Sequence, residues 1–434
     1  MLPQSESKIG QAQICDKGKI SRNRVSQAQI CDKGEISRSR IGRRRNQEMN
    51  KKEINEIRKQ FSYENCTISR ICGCYIDGEK QIQAKIKDAF LSLPEEEGHK
   101  YLDLMKKVLS GTVGKNLLTM EFPLESEMEE GAQAMLLQLR DSKLEDDALL
   151  DRFYQKIMDS YVYGENYYII LTHAVYDVPG RSSSGDEMFD ASDEMFEYIT
   201  CAICPVKLSK DALSYDPKKG GFSDRNRDWI VDAPTNGFLF PAFTDRSTDL
   251  HSLLYYAKKP EELQELMIHD LFGCERPMSA GGQMDIFQQV ILDTLEEDCD
   301  FETIKEIHET IYEMIEETKD EPDPLMLSAN EVKKVLEQSG VANEKMEQFD
   351  SNYQHIVEDE KAEFQATNLI NTRQFSVATP DVSIKISPDR TDLIQTKEVD
   401  GRLCLVIEIN DQIEVNGLPV KAREKKEISG EAEE

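Results

Sequence analysis

The chain has 434 residues and is strongly acidic, with 53 Lys and Arg against 83 Asp and Glu, a formal net charge of −30. Such a charge repels polyphosphate at long range, so non-specific nucleic-acid binding would need a local basic patch, which the linear sequence does not display. No run of about 18 apolar residues occurs, and the N-terminal residues lack the apolar centre of a signal peptide. These features predict a soluble cytoplasmic protein.

A repeated motif occupies the N-terminal segment. Ile9 to Arg24 (IGQAQICDKGKISRNR) is followed by Val25 to Arg40 (VSQAQICDKGEISRSR), and a third copy breaks off in an arginine triplet. A repeat without apolar residues at helical or strand spacing cannot bury a surface against its neighbour, which excludes a solenoid. We predict that residues 1–48 are a disordered basic leader or a mis-called start, and that the folded protein begins near Met49. Without them, 42 Lys and Arg face 78 Asp and Glu, a net charge of −36.

Helix-like and strand-like patterns alternate over residues 49–275, which predicts an α+β domain. A capping box formed by Asn50 and Glu53 predicts a short helix. The dipeptide Asp77-Gly78 accepts positive φ and is expected to join two β-prone runs in a hairpin.

The strongest strand signals lie near the centre of this region. Asn166 to Val175 and Glu197 to Val206 are rich in β-branched and aromatic residues, which predicts two neighbouring central strands. Pro179 to Glu194, between them, has the Gly, Ser and Asp content typical of a surface loop.

The pattern becomes helical over residues 279–358. Apolar residues recur there at helical spacing, and a capping box from Ser328 to Glu331 precedes the third apolar stripe. Residues 372–421 then change to period two, with the turn dipeptides Asp400-Gly401 and Asn416-Gly417, which predicts a small β-meander. The tail, 422–434, is charged and predicted to be disordered. The fold class is therefore α+β: a mixed N-terminal sheet-and-helix domain, a helical middle segment and a small C-terminal β-meander.

Four cysteines form the sharpest candidate metal site. Cys72 and Cys74, together with Cys201 and Cys204, could close a tetrahedral zinc site as thiolates. Their surroundings favour another interpretation, because both pairs lie in β-prone stretches, and in an ideal strand Cys201 and Cys204 point to opposite faces. We expect small buried strand residues and free thiols rather than zinc or disulfides.

A second candidate site lies in the segment PAFTDRSTDLHSLLYY. Asp245, Arg246, Asp249 and His251 are expected to crowd the start of a helix, whose backbone amides and arginine could hold an anion. A carboxylate beside His251 could perform acid–base chemistry. Ordinary helix capping accounts for the same residues, with the leucines facing the core.

Familiar catalytic motifs are absent from the sequence. Gly180 to Gly185 has the glycine spacing of a phosphate loop, but Asp186-Glu187 stands where Lys-Ser/Thr is required. The sequence contains no GxGxxG, GxSxG or HExxH pattern, and its six histidines are scattered singly. No catalytic residue and no cofactor is predicted.

Several segments resemble one family closely. At RICGCYIDGEK, YGENYYIILTHAVYDVP, CAICPVKLS and LFGCERPMSAGGQ the chain resembles an uncharacterised bacterial family, domain of unknown function 4317, from Met49 to about Val420. That resemblance implies no activity and no site residues.

A weaker likeness is architectural. Phe272-Gly273-Cys274 to Ser279 and Gln283 opens a helical stretch as in bacterial nucleoid-associated proteins of the ndpA type, and a terminal β element ends near Leu418-Pro419. That family associates with DNA, whereas this chain has no Lys/Arg cluster outside the leader. The leading hypothesis is a non-enzymatic binding protein with an unknown protein partner or, as a lesser alternative, nucleic acid; the competing one is an enzyme or small-anion binder that uses the second candidate site.

Overall fold

A computed structural model describes residues 48–128, 131–181, 187–357, 362–409 and 413–420. The predictions for the basic leader and for the tail at 422–434 fall outside these residues, apart from Glu48 at the end of the leader. Within the described ranges, no helix is both long enough and apolar enough to cross a membrane.

The helices are α1 (Lys51–Lys59), α2 (Glu95–Val108), α3 (Ala132–Asp141), α4 (Asp147–Ser160), α5 (Ala280–Leu295), α6 (Phe301–Thr318), α7 (Ala329–Gln338), α8 (Asn343–Ile356) and α9 (Ala366–Leu369).

The strands are β1 (Ile68–Ile76), β2 (Ile82–Ala89), β3 (Leu117–Glu121), β4 (Tyr167–Arg181), β5 (Glu187–Leu208), β6 (Leu213–Asp216), β7 (Gly221–Asp224), β8 (Trp229–Val231), β9 (Asn236–Phe240), β10 (Ala242–Thr244), β11 (Ser247–Asp249), β12 (Ser252–Ala257), β13 (Met326–Leu327), β14 (Phe364–Gln365), β15 (Phe375–Ala378), β16 (Ser383–Ile386), β17 (Ile394–Val399), β18 (Arg402–Ile407), β19 (Ile413–Val415) and β20 (Leu418–Val420).

An antiparallel sheet organises the N-terminal half. Its strands follow the order β2-β1-β4-β5-β9-β12-β3, and β8 pairs with the end of β5. The two runs predicted as central strands are β4 and β5, which pair from Tyr167 with Pro205 to Arg181 with Glu187. The predicted loop between them is therefore mostly strand: β4 continues to Arg181 and β5 begins at Glu187.

Helices cover both faces of this sheet. On one face, α3, α4 and residues 263–274 pack over side chains that include Leu171, Cys201 and Phe238. On the other face, α1 and α2 pack over side chains that include Ile170, Ala202 and Leu239. Consecutive residues of one strand thus enter different cores, which is why β5 is apolar at every position from Tyr198 to Val206 except Thr200.

The helical middle segment has its own core. Phe287, Ile291, Ile307, Leu336 and Phe349 are among the buried side chains that α5, α6, α7 and α8 contribute to it. Both predicted capping boxes are present, one from Asn50 to Glu53 and one from Ser328 to Glu331. The α+β class predicted from the sequence is confirmed. The domain boundaries at 275, 279, 358 and 372 stay predictions.

The C-terminal β segment differs from a continuous meander. It consists of three separate two-stranded hairpins, β15–β16, β17–β18 and β19–β20. Asp400-Gly401 and Asn416-Gly417 make the predicted tight turns, with positive φ at all four residues. Each turn closes its own hairpin, and nothing in the pattern required one hairpin to pair with the next.

Candidate functional site

The segment that carries Asp245, Arg246, Asp249 and His251 is a hairpin and not the start of a helix. Asp245 and Arg246 form the turn between β10 and β11, with φ of +53° and +56°. The following residues, predicted to be helical, form β12, which lies between β9 and β3 and is buried along its whole length. A short apolar run that is buried on both sides has no period that separates a strand from a helix, so the helical assignment was wrong.

The turn does hold an anion, but the anion belongs to the protein. Arg246 donates from Nη2 to Glu56 Oε1 at 2.9 Å and from Nε to Glu56 Oε2 at 3.1 Å. The two side chains are only 12% and 16% exposed. Glu53 is nearby: its burial raises the pKa of the carboxyl, and hydrogen bonds from the backbone of Asn50, Asp245 and Arg246 partly offset that rise. Arg246 thus binds the carboxylate of Glu56, and this ion pair attaches α1 to the β10–β11 hairpin.

Asp249 and His251 have separate local contacts. Asp249 Oδ1 accepts a hydrogen bond from the His251 backbone amide at 3.0 Å. The His251 ring lies 3.0 Å from Glu127 Oε1, with both side chains well exposed. The four residues are close in sequence but do not face one another around a common ligand. A role for them in ligand binding stays a prediction, and the structure gives Arg246 a different task.

The four cysteines of the possible zinc site are divided between the faces of the sheet. Cys72, Cys74 and Cys201 belong to one apolar core and Cys204 belongs to the other. Leu171 separates Cys72 from Cys201, since it pairs with both. The predicted opposite orientation of Cys201 and Cys204 is confirmed.

Burial also opposes formation of the thiolates that zinc requires. It raises the pKa of Cys72 and Cys74 to about 11 and that of Cys204 to about 12. In the described part of the chain, the cysteines are free thiols, and no group of three or more His, Cys, Asp or Glu side chains is arranged to hold a metal ion.

An apolar cavity of about 510 Å³ opens in the helical segment. Its walls come from α5, α6 and the chain from Leu369 to Ser376, and they include Phe287, Ile291, Ile307, Ile370 and Phe375. A volume of this size lies within the range of small-molecule sites.

Regular helices position the walls of the cavity. Ser279 and Asp300 cap α5 and α6 by accepting hydrogen bonds from Gly282 N and Thr303 N. The apolar residues of each helix recur every three or four positions, so each helix presents one apolar stripe. The cavity lies between these two helices and the segment from Leu369 to Ser376.

No residue that lines the cavity carries a formal charge, although 31% of the chain is Asp, Glu, Lys or Arg. Its polar residues are chiefly amides, among them Gln288, Asn371 and Gln374. The lining therefore suits a ligand that is mostly apolar and uncharged, because a charged ligand would lose hydration without gaining an opposite charge.

Burial shifts the pKa of two ionisable side chains that line the cavity, His308 and Cys299. Burial lowers the pKa of His308, which keeps its ring neutral near pH 7, and the backbone of Asn371 offsets this only partly. Burial raises the pKa of Cys299, which keeps its sulfur protonated. The ring nitrogens of His308 are shielded from solvent, and the ring packs edge-on against Phe375, with centroids 5.0 Å apart. The thiol of Cys299 is therefore not an activated nucleophile, because the thiolate is the reactive form of cysteine.

The helical spacing of the apolar residues in α5 and α6 was predicted from the sequence, and most of these residues are buried. The cavity arises because a third segment, which begins at Leu369, far beyond the end of α6 at Thr318, fills the space between them incompletely. The sequence signal for the cavity was His308, a polar residue one position after the buried Ile307.

Comparisons with known proteins identify one family. Residues 49–418 match the family described as Domain of unknown function (DUF4317). No curated protein and no solved structure shows significant similarity to the chain.

Proposed function

The chain belongs to the family described as Domain of unknown function (DUF4317), and since that membership assigns no activity, we propose from the geometry that the protein works by binding. Its ligand is a small, uncharged and mostly apolar molecule held in the cavity between α5 and α6, and the cavity binds this molecule without transforming it. The observation that carries the proposal is an uncharged lining in a chain of high charge.

The surroundings of the basic residues favour this ligand over nucleic acid. Phosphate binding requires Lys and Arg that are free to approach a backbone. On β1 and β2, however, Arg70 pairs with Glu145, Lys85 with Asp151 and Lys87 with Asp147. These cations are already paired with acids between residues 145 and 151, so the likeness to nucleoid-associated proteins gains no support from them.

A cytoplasmic location is part of the proposal. The cysteines of the described residues are free thiols, including the half-buried Cys66 and Cys404. Thiols persist in a reducing compartment, whereas exported proteins usually oxidise theirs to disulfides.

The binding proposal is tested with N-phenyl-1-naphthylamine, an uncharged apolar dye that fluoresces when it leaves water. We expect the full-length protein to increase the dye fluorescence in a saturable manner. Leu292 lines the cavity and is 51% exposed, so Leu292→Trp should fill the mouth without disturbing the core and weaken binding at least about tenfold, or about 1.4 kcal/mol.

Leu266→Trp is the matched control, because Leu266 is 49% exposed and does not line the cavity. It should leave dye affinity unchanged. Equal dye binding by Leu292→Trp and the parent protein, with both folded by circular dichroism, would exclude the cavity as the binding site.

A further inference from the structure

Three polar side chains form a hydrogen-bonded chain on the main sheet, away from the cavity. Ser69 Oγ lies 2.6 Å from His173 Nδ1, and His173 Nε2 lies 2.8 Å from Glu197 Oε1. They come from β1, β4 and β5, three strands that are neighbours in the sheet. A serine, a histidine and a carboxylate in this sequence of contacts are the groups that activate a serine hydroxyl in acyl transfer.

A β-bulge places Ser69. Ile68 pairs with Ala174 and Arg70 pairs with His173, so Ser69 is an extra residue without a partner of its own on β4. Bulges redirect the side chain of the extra residue, and they are frequent beside active sites. Ser69 is exposed to solvent, whereas the side chain of His173 is only 1% exposed. The hydroxyl is therefore accessible from outside, and the imidazole behind it is held in one position.

The proton positions follow from the two partners of the ring. The Glu197 carboxylate can only accept, so the neutral ring carries its proton on Nε2 and leaves Nδ1 as an acceptor. Ser69 Oγ then donates to Nδ1. Its other acceptor, the His173 backbone carbonyl, lies further away at 3.2 Å. The alternative tautomer would place a bare Nε2 against the carboxylate.

The ring is neutral near pH 7 and can act as a base. Burial lowers the pKa of His173, the Glu197 carboxylate opposes this change, and the positive charges of Lys143 and Arg140 add to the lowering.

We propose that Ser69 is a nucleophile for acyl transfer, with His173 as its general base and Glu197 as a positioning residue that fixes the tautomer. This site goes beyond the binding proposal and does not depend on it. Its substrates are carboxylic esters, whose carbonyl carbon can approach Ser69 Oγ from solvent because Ser69 lies at the open surface of a strand.

The reaction balances with water as the only co-reactant. Ser69 Oγ forms a bond to the carbonyl carbon, its proton passes to His173 Nδ1, and the ester C–O bond breaks as the alcohol leaves with that proton. Water then attacks the acyl-serine and gives its proton to Nδ1. The carboxylic acid departs, and the proton returns to Ser69 Oγ.

The test uses diisopropyl fluorophosphate, which transfers its phosphoryl group to activated serine hydroxyls with loss of fluoride. The full-length protein is incubated with the reagent and the modified serine is located by peptide mass spectrometry. We expect modification at Ser69, none at that position in Ser69→Ala, and at least about a tenfold slower reaction in Glu197→Gln. Ser92→Ala, which removes an exposed serine without a histidine partner, is the control and should react at the parental rate.

The pH profile separates activation from simple exposure. The rate at Ser69 should fall as His173 becomes protonated, at a pH below the ordinary histidine value of about 6.5, and should be constant above pH 7. The proposal is overturned if Ser69 is unmodified in the folded protein, if another serine reacts instead, or if His173→Gln, folded by circular dichroism, reacts as fast as the parent.

Discussion

At the scale of single residues, burial sets the chemistry of the histidines. His173 and His308 lie in different parts of the fold, yet burial lowers the pKa of both. His173 has hydrogen-bond partners on both ring nitrogens, whereas His308 packs against Phe375 and Tyr312. Both rings are therefore neutral in the folded protein at a pH where an unfolded chain begins to take up protons.

This difference predicts acid sensitivity. As the pH falls below about 6.5, the unfolded chain protonates these histidines before the folded protein does, so the free energy of unfolding decreases until the lowered folded pKa is reached. We expect His308→Leu to lose less stability than the parent between pH 7 and 5, measured by urea denaturation at each pH.

His99→Gln is the control, because His99 is an exposed surface residue whose side chain is 54% accessible. Its pH dependence should equal that of the parent. Identical slopes for His308→Leu and the parent would show that His308 does not contribute to the acid sensitivity.

At this scale, the features that could be predicted from the sequence were those that follow from the alternation of side chains along a strand. The opposite orientations of Cys201 and Cys204 follow from the alternation of side chains in any strand. The position of Ser69 does not, because it requires a bulge that the sequence ISRICG does not signal. Without that register shift, Ser69 and His173 would not be predicted to meet.

At the scale of elements, a largely buried ion pair joins α1 to the β10–β11 hairpin. Glu56 on α1 accepts hydrogen bonds from Arg246 and, at 3.1 Å, from the hydroxyl of Tyr176 on β4. Arg246 also donates to the carbonyl of Pro179 at 3.0 Å. These contacts link a helix, a hairpin and the extension of a central strand, so loss of the pair affects all three.

We expect Arg246→Gln to destabilise the protein by about 2–4 kcal/mol, because it leaves the largely buried Glu56 carboxylate without its cation. The measurement is urea denaturation at pH 7. Lys85→Gln, which removes the exposed pair with Asp151, should cost no more than about 1 kcal/mol. Equal effects of the two substitutions would contradict the role assigned to Arg246.

The elements with distinctive turn residues were predicted well. Asp400-Gly401 and Asn416-Gly417 marked their hairpins, since only residues that tolerate positive φ fit such turns. The run SLLYYA in β12 was misassigned because both of its faces are buried. At the hairpin predicted from Asp77-Gly78 the strands are correct, but the turn is longer, and Lys80 has the positive φ.

At the scale of the whole molecule, a polar junction joins the sheet to the helical segment. Gln365, which is 4% exposed, donates from Nε2 to the Val113 carbonyl at 2.9 Å and to Thr367 Oγ1 at 2.8 Å. Asn368 Nδ2 reaches the carbonyl of Gly114 at 3.2 Å. A Cβ on Gly114 would lie 1.5 Å from Gln365 Oε1, so the close approach requires glycine.

Gly114→Ala should therefore displace the Gln365 amide and leave buried polar groups unpaired, at a cost of about 1–3 kcal/mol beyond the backbone strain at φ of +72°. Gly340→Ala is the matched control, because Gly340 has φ of +79° and open space around it. Urea denaturation of both variants gives the difference. Equal losses would show that strain alone, and not the junction, sets the cost.

The general organisation could be predicted, but the relation between its parts could not. The change from mixed α/β patterns to helical stripes and then to period two predicted the α+β class and the order of its parts. The cavity and the junction depend on side chains such as Gln365 and Phe375 that meet residues distant in sequence. Periodicity describes what one element buries and contains no information on which distant element covers it.

The two buried thiols of β5 can report local opening of the fold. Cys201 and Cys204 lie on opposite sides of one strand, each beneath a different layer of helices, and both are protonated and shielded. An alkylating reagent can reach either thiol only when the covering layer opens. The ratio of their modification rates therefore shows which layer of helices opens more readily, and no cysteine has to be introduced for the measurement.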